Sequence, residues 1–178
     1  MELQIRKTTQ QDREAIFQLE NLAFPEDTEV AVLADDLLAT EKDALSLLAL
    51  VEDQPVGHIL FTNCHIEGRE SQPSATILAP LAVLPAYQKM GIGGELVKEG
   101  LRRLKAQQVE IVFVLGHIEY YPRHGFLPAL GLGYYPPYPT KKGLEDAWML
   151  QTLNEAIDLE NYTGRVVPAK AMDRPNYW

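Results

Sequence analysis

Residues 81–96 read LAVLPAYQKMGIGGEL, which predicts an apolar strand, a glycine-rich turn and the first turns of an amphipathic helix. The start of a helix leaves up to four backbone N–H groups without partners and carries the positive end of the helix dipole. A phosphate placed there accepts hydrogen bonds from these groups, and Gly91, Gly93 and Gly94 let its oxygens approach closely. The segment therefore predicts an anion-binding site.

Two common phosphate-binding patterns do not fit this segment. A Walker A loop requires Gly-Lys-Ser/Thr, and no such run follows Gly94. The dinucleotide fingerprint requires a third glycine at the position where Leu96 stands. These differences disfavour ATP and NAD as ligands.

The chain before this segment predicts one strand, two helices and three further strands. Leu3, Ile5 and Lys7 alternate with polar neighbours as in an edge strand, and Thr9 with Asp12 resembles a capping box at a helix start. The first helix runs from that box to near Pro25, and the second begins at about Thr28 and ends before the polar segment Thr40–Asp43. The strands are Leu45–Val51, Val56–Asn63 and Thr76–Leu84, with a tight turn at Asp53-Gln54-Pro55 between the first two.

The chain after this segment predicts fewer regular elements. A helix is expected over 91–107, a buried strand over Ile111–Leu115 and one broken turn of helix over Glu119–His124. An extended stretch is predicted to begin at Phe126, and an ordered loop is predicted over Tyr134–Pro139. The last predicted strand is Ala147–Leu153, and a tail that packs on the domain is predicted over 154–178. Because helices and strands do not alternate strictly, an α+β fold with a mixed, mostly antiparallel sheet is favoured over a doubly wound fold.

Composition and charge limit the class of protein. The 178 residues, 46% of them hydrophobic, suit one soluble domain, and the net charge of −9 repels nucleic acid. The longest near-apolar run, Ala44–Val51, is far shorter than the roughly 20 residues of a membrane span, and no signal peptide is evident. Cys64 is the only cysteine, so neither a disulfide nor a cysteine-based metal cage is expected. We predict a cytoplasmic protein without metal.

The pattern Gln88-x-x-Gly91-x-Gly93 resembles the pyrophosphate-binding motif of the GNAT superfamily of acyl-CoA N-acyltransferases. The preceding Leu-Ala-Val strand and the run Tyr120–Phe126 are similar to elements of the same family, and a prokaryotic-type subgroup shares the phrase Pro80–Pro85. Where that subgroup often has an acidic residue and a phenylalanine, this chain has His117 and His124. The resemblance covers about residues 1–153, which implies a GNAT domain there, with 154–178 as its tail.

The resemblance implies a role for each matching position. Acetyl-CoA is the implied cosubstrate, and Tyr121 is implied as the general acid that protonates the departing thiolate, with Tyr120 as the alternative. The resemblance implies three groups of cofactor-binding residues. The strand residues Leu81, Ala82 and Val83 pair with pantetheine, and Tyr120 packs under the cofactor. The pyrophosphate is held by the loop and helix start, which comprise Gln88, Lys89, Met90, Gly91, Ile92, Gly93 and Gly94. Charge agrees with these assignments, because residues 87–105 carry net +3 while the remainder carries −12.

The sequence does not identify a single residue as the general base. Glu26 and Glu29 are candidates, as are Glu119 and the four histidines His58, His65, His117 and His124, although each histidine also suits a hydrogen-bonded strand or surface position. Cys64 has no task in a direct transfer. The loop tyrosines either line the acceptor pocket or pack against the domain; they are Tyr134, Tyr135 and Tyr138.

The resemblance implies an acetyl-CoA-dependent N-acetyltransferase that acts directly on the primary amine of a small molecule or peptide. The net negative charge favours a cationic partner, and the protein is expected to be a monomer or a homodimer. A non-catalytic acyl-CoA-binding or sensing module is the alternative. A nucleotide-binding regulatory domain is a third possibility.

Overall fold

A computed structural model describes residues 2–178 and divides the chain into two compact units. The first unit comprises Met1–Phe61 with Ala79–Arg102, and the second comprises Thr62–Leu78 with Arg103–Trp178. The α-helices of the described residues are α1 (Arg13–Ala23), α2 (Glu29–Thr40) and α3 (Ile92–Ala106), and the strands are β1 (Leu3–Lys7), β2 (Leu45–Val51), β3 (Gln54–Ile66), β4 (Ala75–Val83), β5 (Ile111–Leu115), β6 (Leu127–Pro128), β7 (Tyr134–Tyr135), β8 (Trp148–Thr152) and β9 (Gly164–Val167).

The first unit contains the strand order β1-β2-β3-β4, in which β1 pairs antiparallel with β2 and β2 antiparallel with β3. The predicted capping box is present before α1: the Thr9 N–H donates to the Asp12 carboxylate at 2.7 Å, and Arg6 donates to both carboxylate oxygens at 2.8 Å. Both helices expected upstream of β2 are confirmed.

The turn between β2 and β3 differs from the prediction. It is formed by Glu52 and Asp53, with φ angles of 50° and 62°, while Gln54 and Pro55 already belong to β3. Two consecutive positive φ angles are typical of a two-residue hairpin turn, whose twist suits the flanking strands. The predicted turn at 53–55 was therefore displaced by one residue, because Pro55 is accommodated beside a register shift between Ala49 and Leu50.

The two faces of the sheet in the first unit pack against different helices. On one face, Leu48 and Ala82 form a buried cluster with Ile16 and Leu19 of α1. On the other face, a Cβ added at Gly57 would lie 3.0 Å from Leu96 Cδ1 and 3.2 Å from Ile92 Cγ2 of α3. The sheet thus supports α1 with the residues of one face and α3 with the residues of the other face.

A buried polar network lies on the α1 side of this sheet. Nδ1 of His58 lies 2.5 Å from Oε1 of Glu20, and Nε2 lies 2.9 Å from Oγ of Ser46. Glu20 and His58 are both 0% exposed, and Oε2 of Glu20 has no hydrogen-bond partner among residues 2–178. Because burying an ionisable group is costly unless it is hydrogen-bonded, this network ties α1 specifically to β2 and β3.

The second unit contains the strand order β4-β5-β8-β6. β4 pairs parallel with β5, which confirms the predicted buried strand, and β5 pairs antiparallel with β8. The aromatic core of this unit stacks Phe113 on Trp148 with ring centroids 5.3 Å apart, and Trp178 packs edge-to-face on Trp148 at 5.7 Å. The mixed, mostly antiparallel sheet with three helices confirms the predicted α+β class.

Two short strands depart from the predictions for the second unit. Tyr134 lies in β7 and is fully buried, with its hydroxyl donating to the Leu159 carbonyl at 2.7 Å, whereas a loop was expected. β9 lies within 154–178, where no strand was expected, and pairs with β3 and β7. The extended stretch expected after Phe126 is limited to Leu127–Pro128. Within residues 2–178, no helix is both long and apolar enough to cross a membrane.

Candidate functional site

The loop that follows β4 is fastened to the end of that strand. A single 3-10 turn, Pro85–Tyr87, comes first, and the next side chain, Gln88, donates from Nε2 to the Val83 carbonyl at 3.1 Å. The N–H of Leu84 donates to the Val56 carbonyl of β3 at 2.9 Å. The loop therefore leaves the sheet in a defined direction.

The start of α3 presents a set of unpaired backbone donors. The N–H of Glu95 makes the first helical hydrogen bond, to the Gly91 carbonyl at 3.0 Å. The N–H groups of Gly91, Ile92, Gly93 and Gly94 precede it, so they have no acceptor within the helix. Gly91 has φ of +85°, a conformation that favours glycine. This arrangement has the donors and the dipole that bind a phosphate.

The side chains of α3 and of the loop before it refine the positive charge expected from the sequence. Arg102 pairs with Glu99 at 2.7 Å, and this contact raises the pKa of Arg102. Lys98 lies 3.8 Å from Glu95. Lys89, in the loop itself, makes no ion pair with any of residues 2–178 and is exposed, so its charge is available to an anion at the helix start.

The strand residues assigned to pantetheine point in two directions. Ala82 is buried in the cluster beneath α1, whereas Leu81 and Val83 are only half-buried. Because side chains alternate along a strand, Leu81 and Val83 lie on the face opposite to Ala82. Leu84 and Phe24 pack against the same cluster as Ala82, so α1 supports this end of β4.

Tyr121 lies in the second unit, at the start of a 3-10 turn, Tyr121–His124, that follows β5. Pro122 occupies an early position of that turn, as expected. The Tyr121 ring is buried and packs edge-to-face on Phe126 at 5.6 Å. Burial is the main cause that raises the pKa of Tyr121, with a further contribution from Tyr120, so the phenol keeps its proton at neutral pH and remains a hydrogen-bond donor.

Tyr120 stands beside Tyr121 and is half-buried. Its ring lies edge-to-face on Tyr121 at 5.1 Å and contacts the His124 ring at 4.9 Å. Burial raises the pKa of Tyr120 and lowers the pKa of His124, and the nearby charge of Arg123 lowers the pKa of His124 further. His124 is therefore mostly neutral at pH 7.

A cavity of about 420 Å³ opens next to these aromatic rings in the second unit. Its lining residues are His117, Ile118, Glu119, Tyr120 and Arg123. Two of the candidate bases, His117 and Glu119, thus share one cavity wall. The volume falls within the range of small-molecule sites.

The other candidate bases are scattered. Glu26 is exposed between α1 and α2, and Glu29 is the exposed first residue of α2; both belong to the first unit, whereas Tyr121 belongs to the second. His65 is half-buried in β3 opposite Val167. His58 is the hydrogen-bonded strand histidine that the sequence allowed.

Burial raises the pKa of the Cys64 thiol, so little thiolate exists at neutral pH. A thiol that stays protonated is a weak nucleophile, which agrees with a transfer that forms no acyl-enzyme. Within residues 2–178, no group of three or more His, Cys, Asp or Glu side chains is placed to hold a metal ion.

Two important residues were missed by sequence reasoning. Glu20 follows Ile16 by four residues and therefore lies on the apolar face of α1, a position that signals a buried carboxylate. Gly116 directly follows β5, and a Cβ at this position would overlap the Tyr121 ring. No pattern within the sequence indicated that contact.

Comparisons with known proteins agree with this geometry. The sequence model of a family described as the GNAT family of acetyltransferases matches residues 13–126. The chain is 46% identical over 149 residues to the Escherichia coli K12 N-acetyltransferase YjhQ, covering 82% of each chain. It is 34% identical over 108 residues to the N-acetyltransferase YhbS of the same strain, covering 58% of this chain and 61% of that protein.

Two crystal structures resemble the chain over nearly its whole length. One is the Escherichia coli GNAT family N-acetyltransferase YhbS in complex with CoA, with a TM-score of 0.86 and 28% identity over 97% of this chain and 92% of that chain. The other is a Brucella melitensis GNAT family acetyltransferase in complex with acetyl-CoA, with a TM-score of 0.76 and 29% identity over 97% of this chain and 99% of that chain.

Proposed function

Since this chain belongs to the GNAT family of acetyltransferases, we propose that it transfers the acetyl group of acetyl-CoA directly to a primary amine of a small molecule or peptide. The observation that carries the proposal is the set of four open N–H groups at the start of α3, within the Gln88-x-x-Gly91-x-Gly93 motif. Two structures similar to this chain contain CoA and acetyl-CoA, which supports the same cosubstrate here.

The cosubstrate site follows from these groups. The amides of Gly91–Gly94 hold the pyrophosphate, and Lys89 adds a positive charge beside it. Gln88 keeps the loop at the end of β4 through its bond to Val83. Leu81–Val83 offers its backbone to pantetheine, and Tyr120 packs against the cofactor.

The transfer breaks one bond and forms another. The lone pair of the amine attacks the thioester carbonyl carbon, and a backbone N–H of β4 stabilises the negative charge that develops on the carbonyl oxygen. The C–S bond then breaks, and the leaving thiolate takes the hydroxyl proton of Tyr121. The proton lost by the amine passes to water or to a carboxylate, with Glu26, Glu29 and Glu119 as candidates. Orientation of the two reactants supplies much of the acceleration.

The cosubstrate site is tested by placing a negative charge at the helix start. Gly93→Glu should abolish CoA binding in titration calorimetry while thermal unfolding stays cooperative, because a carboxylate there repels the pyrophosphate. Gly131→Glu is the matched control, since Gly131 is exposed and nothing lies within 4 Å of a Cβ added there. Unchanged CoA affinity in Gly93→Glu contradicts the proposed site.

The acid role is tested by removing one hydroxyl. Tyr121→Phe should lower kcat about 100-fold, the low end of the usual contribution of a general acid, with little change in acetyl-CoA affinity. Tyr120→Phe, the neighbouring change, should have a much smaller effect on kcat. Retained turnover in Tyr121→Phe excludes this residue as the acid.

We also propose that residues 154–178 belong to the same domain as 1–153 and that the protein is cytoplasmic. Support for the first statement comes from β9, which pairs with β3 and β7. The cytoplasmic location is supported by the presence of a single cysteine, because a chain that forms no internal disulfide suits a reducing compartment. Truncation after Leu153 should abolish cooperative thermal unfolding if the tail is part of the domain, and an unchanged melt contradicts that statement.

A further inference from the structure

Three polar side chains that line the 420 Å³ cavity of the second unit have hydrogen-bonding groups without partners in the described part of the chain. Among residues 2–178, neither the Arg123 guanidinium nor the Glu119 carboxylate makes a hydrogen bond or an ion pair. The imidazole of His117 is also without a hydrogen-bond partner in the described part of the chain. Their donors and acceptor are therefore free to bind a ligand.

Other arginines of the chain show what this residue type does when a carboxylate is within reach. Arg13 pairs with Asp35 at 2.7 Å, and Arg165 pairs with Glu67 at 2.8 Å. Arg6 and Arg102 likewise bind carboxylates at 2.8 and 2.7 Å. Arg123 instead lines the cavity without a carboxylate partner among residues 2–178. A guanidinium group matches a carboxylate with two parallel hydrogen bonds.

The cavity wall carries charges of both signs. Arg123 is cationic, Glu119 is anionic, and both line the same cavity. A ligand that carries only negative charge, such as a phosphate, would be attracted by Arg123 and repelled by Glu119. A ligand that carries an ammonium and a carboxylate a few bonds apart satisfies both side chains at once.

The apolar parts of the wall complete the fit. Ile118 is exposed, so it offers apolar surface to the remaining carbon atoms of a ligand. The Tyr120 ring lies edge-to-face on Tyr121, the proposed general acid, at 5.1 Å. The cavity is therefore beside the residue that serves the transfer step.

From these observations we infer that the cavity is the acceptor site and that the acceptor is a free amino acid or a closely related amino carboxylate. Arg123 binds the carboxylate, and Glu119 accepts a hydrogen bond from the amino group that is acetylated. This inference rests on the proposed acetyl transfer and names the substrate class of that reaction.

Binding is tested first, without relying on turnover. Titration calorimetry of the full chain, alone and with CoA, uses phenylalanine and leucine beside the matched amines that lack the carboxylate, phenethylamine and isoamylamine. We expect at least one of the two amino acids to bind about tenfold more tightly than its matched amine, since a hydrogen-bonded charge pair gives a difference of this size. Equal affinity for the amino acid and its amine, or no binding of either amino acid, overturns the inference.

Variants then assign the binding to the cavity. Arg123→Gln should weaken amino acid binding about tenfold and leave affinity for the matched amine and for acetyl-CoA unchanged. Glu119→Gln should weaken binding of both the amino acid and the amine. Arg174→Gln is the control, because Arg174 is exposed and does not line the cavity.

The outcomes separate the inference from the proposed function. If Arg123→Gln weakens acetyl-CoA binding instead, the guanidinium serves a CoA phosphate and the inference is wrong, while acetyl transfer stands. If amino acids bind in the cavity but CoA does not bind to the protein, the proposed function is wrong and the cavity remains an amino carboxylate site.

Discussion

The ring of Tyr121 occupies the space that a side chain at residue 116 would need. A Cβ added at Gly116 would overlap Cε2 of that ring and lie 2.7 Å from Cδ2. The same ring is held from the other side by Phe126, and the Tyr121 N–H donates to the His117 carbonyl at 3.2 Å. The position of the proposed acid is therefore set by the absence of a side chain at the end of β5.

Gly116→Ala should displace the Tyr121 ring and lower kcat, with little change in the KM for acetyl-CoA. Inserting a methyl group into a filled space costs about 1–3 kcal/mol, and the buried ring is the neighbour that must move. Steady-state kinetics and thermal unfolding measure the two effects. Gly131→Ala, which meets nothing within 4 Å, is the control, and wild-type kcat in Gly116→Ala would show that the ring position is irrelevant to turnover.

Glu20→Gln should change how stability depends on pH. Burial raises the pKa of Glu20, opposed by its contact with His58, so the native state keeps a proton that the unfolded chain has already released. The stabilisation that comes from the proton retained on Glu20 is complete below the ordinary Glu pKa of about 4.3. It is lost as pH rises through the pKa of Glu20 in the native state. The free energy of unfolding of the variant, relative to that of the wild type, should therefore increase with pH.

Urea unfolding between pH 4.5 and 8 measures that difference. Glu14→Gln is the matched control, because Glu14 is an exposed residue of the same helix. Parallel pH profiles of Glu20→Gln and the wild type would contradict the prediction. Removal of the side chain in Glu20→Ala should instead destabilise the protein by about 3 kcal/mol, since the buried His58 loses its partner.

Gly100→Ala should destabilise the first unit although alanine favours helices. A Cβ at Gly100 would overlap Cε2 and lie 2.6 Å from Cζ of the Phe61 ring, so overpacking of about 1–3 kcal/mol outweighs a helix preference of about 1 kcal/mol. Phe61→Leu removes the obstructing ring. The double variant should therefore lose less free energy of unfolding than the two single variants lose together. Strict additivity of the two losses would show that the two side chains do not interact.

Gln88→Ala should weaken CoA binding about fivefold without a large change in stability. The variant loses one hydrogen bond, from Gln88 to the Val83 carbonyl, worth about 1 kcal/mol, and the loop that precedes the phosphate-binding amides loses its attachment. Titration calorimetry measures the affinity. The exposed Gln107 at the end of α3 supplies the control variant Gln107→Ala, which should bind CoA as the wild type does.

The sequence predicted the elements whose signals are local. The bounds of β2 and β5 were predicted to the residue, and α3 to within one residue at each end, because apolar runs and helical periodicity identify them. The anion-binding donors were also foreseeable, since the glycine-rich turn and the helix that follows lie within one short segment.

Features that depend on distant residues were not foreseeable. β9 has only four residues, and its pairing with β3 joins segments about a hundred positions apart. The contact between Glu20 and His58 joins residues 38 positions apart. The turn at Glu52 was misplaced because two ordinary residues adopt positive φ angles there, whereas the neighbouring proline is the stronger turn signal.

Gly57 and His58 are consecutive in β3 and face opposite helices. If the strand slipped by one residue, an imidazole would enter the α3 interface, where even a Cβ would lie 3.0 Å from Leu96, and a glycine would stand opposite the Glu20 carboxylate. A one-residue slip of the β2–β3 hairpin is thus penalised on both faces of the sheet. This dipeptide therefore protects the hairpin against misfolding into an alternative register.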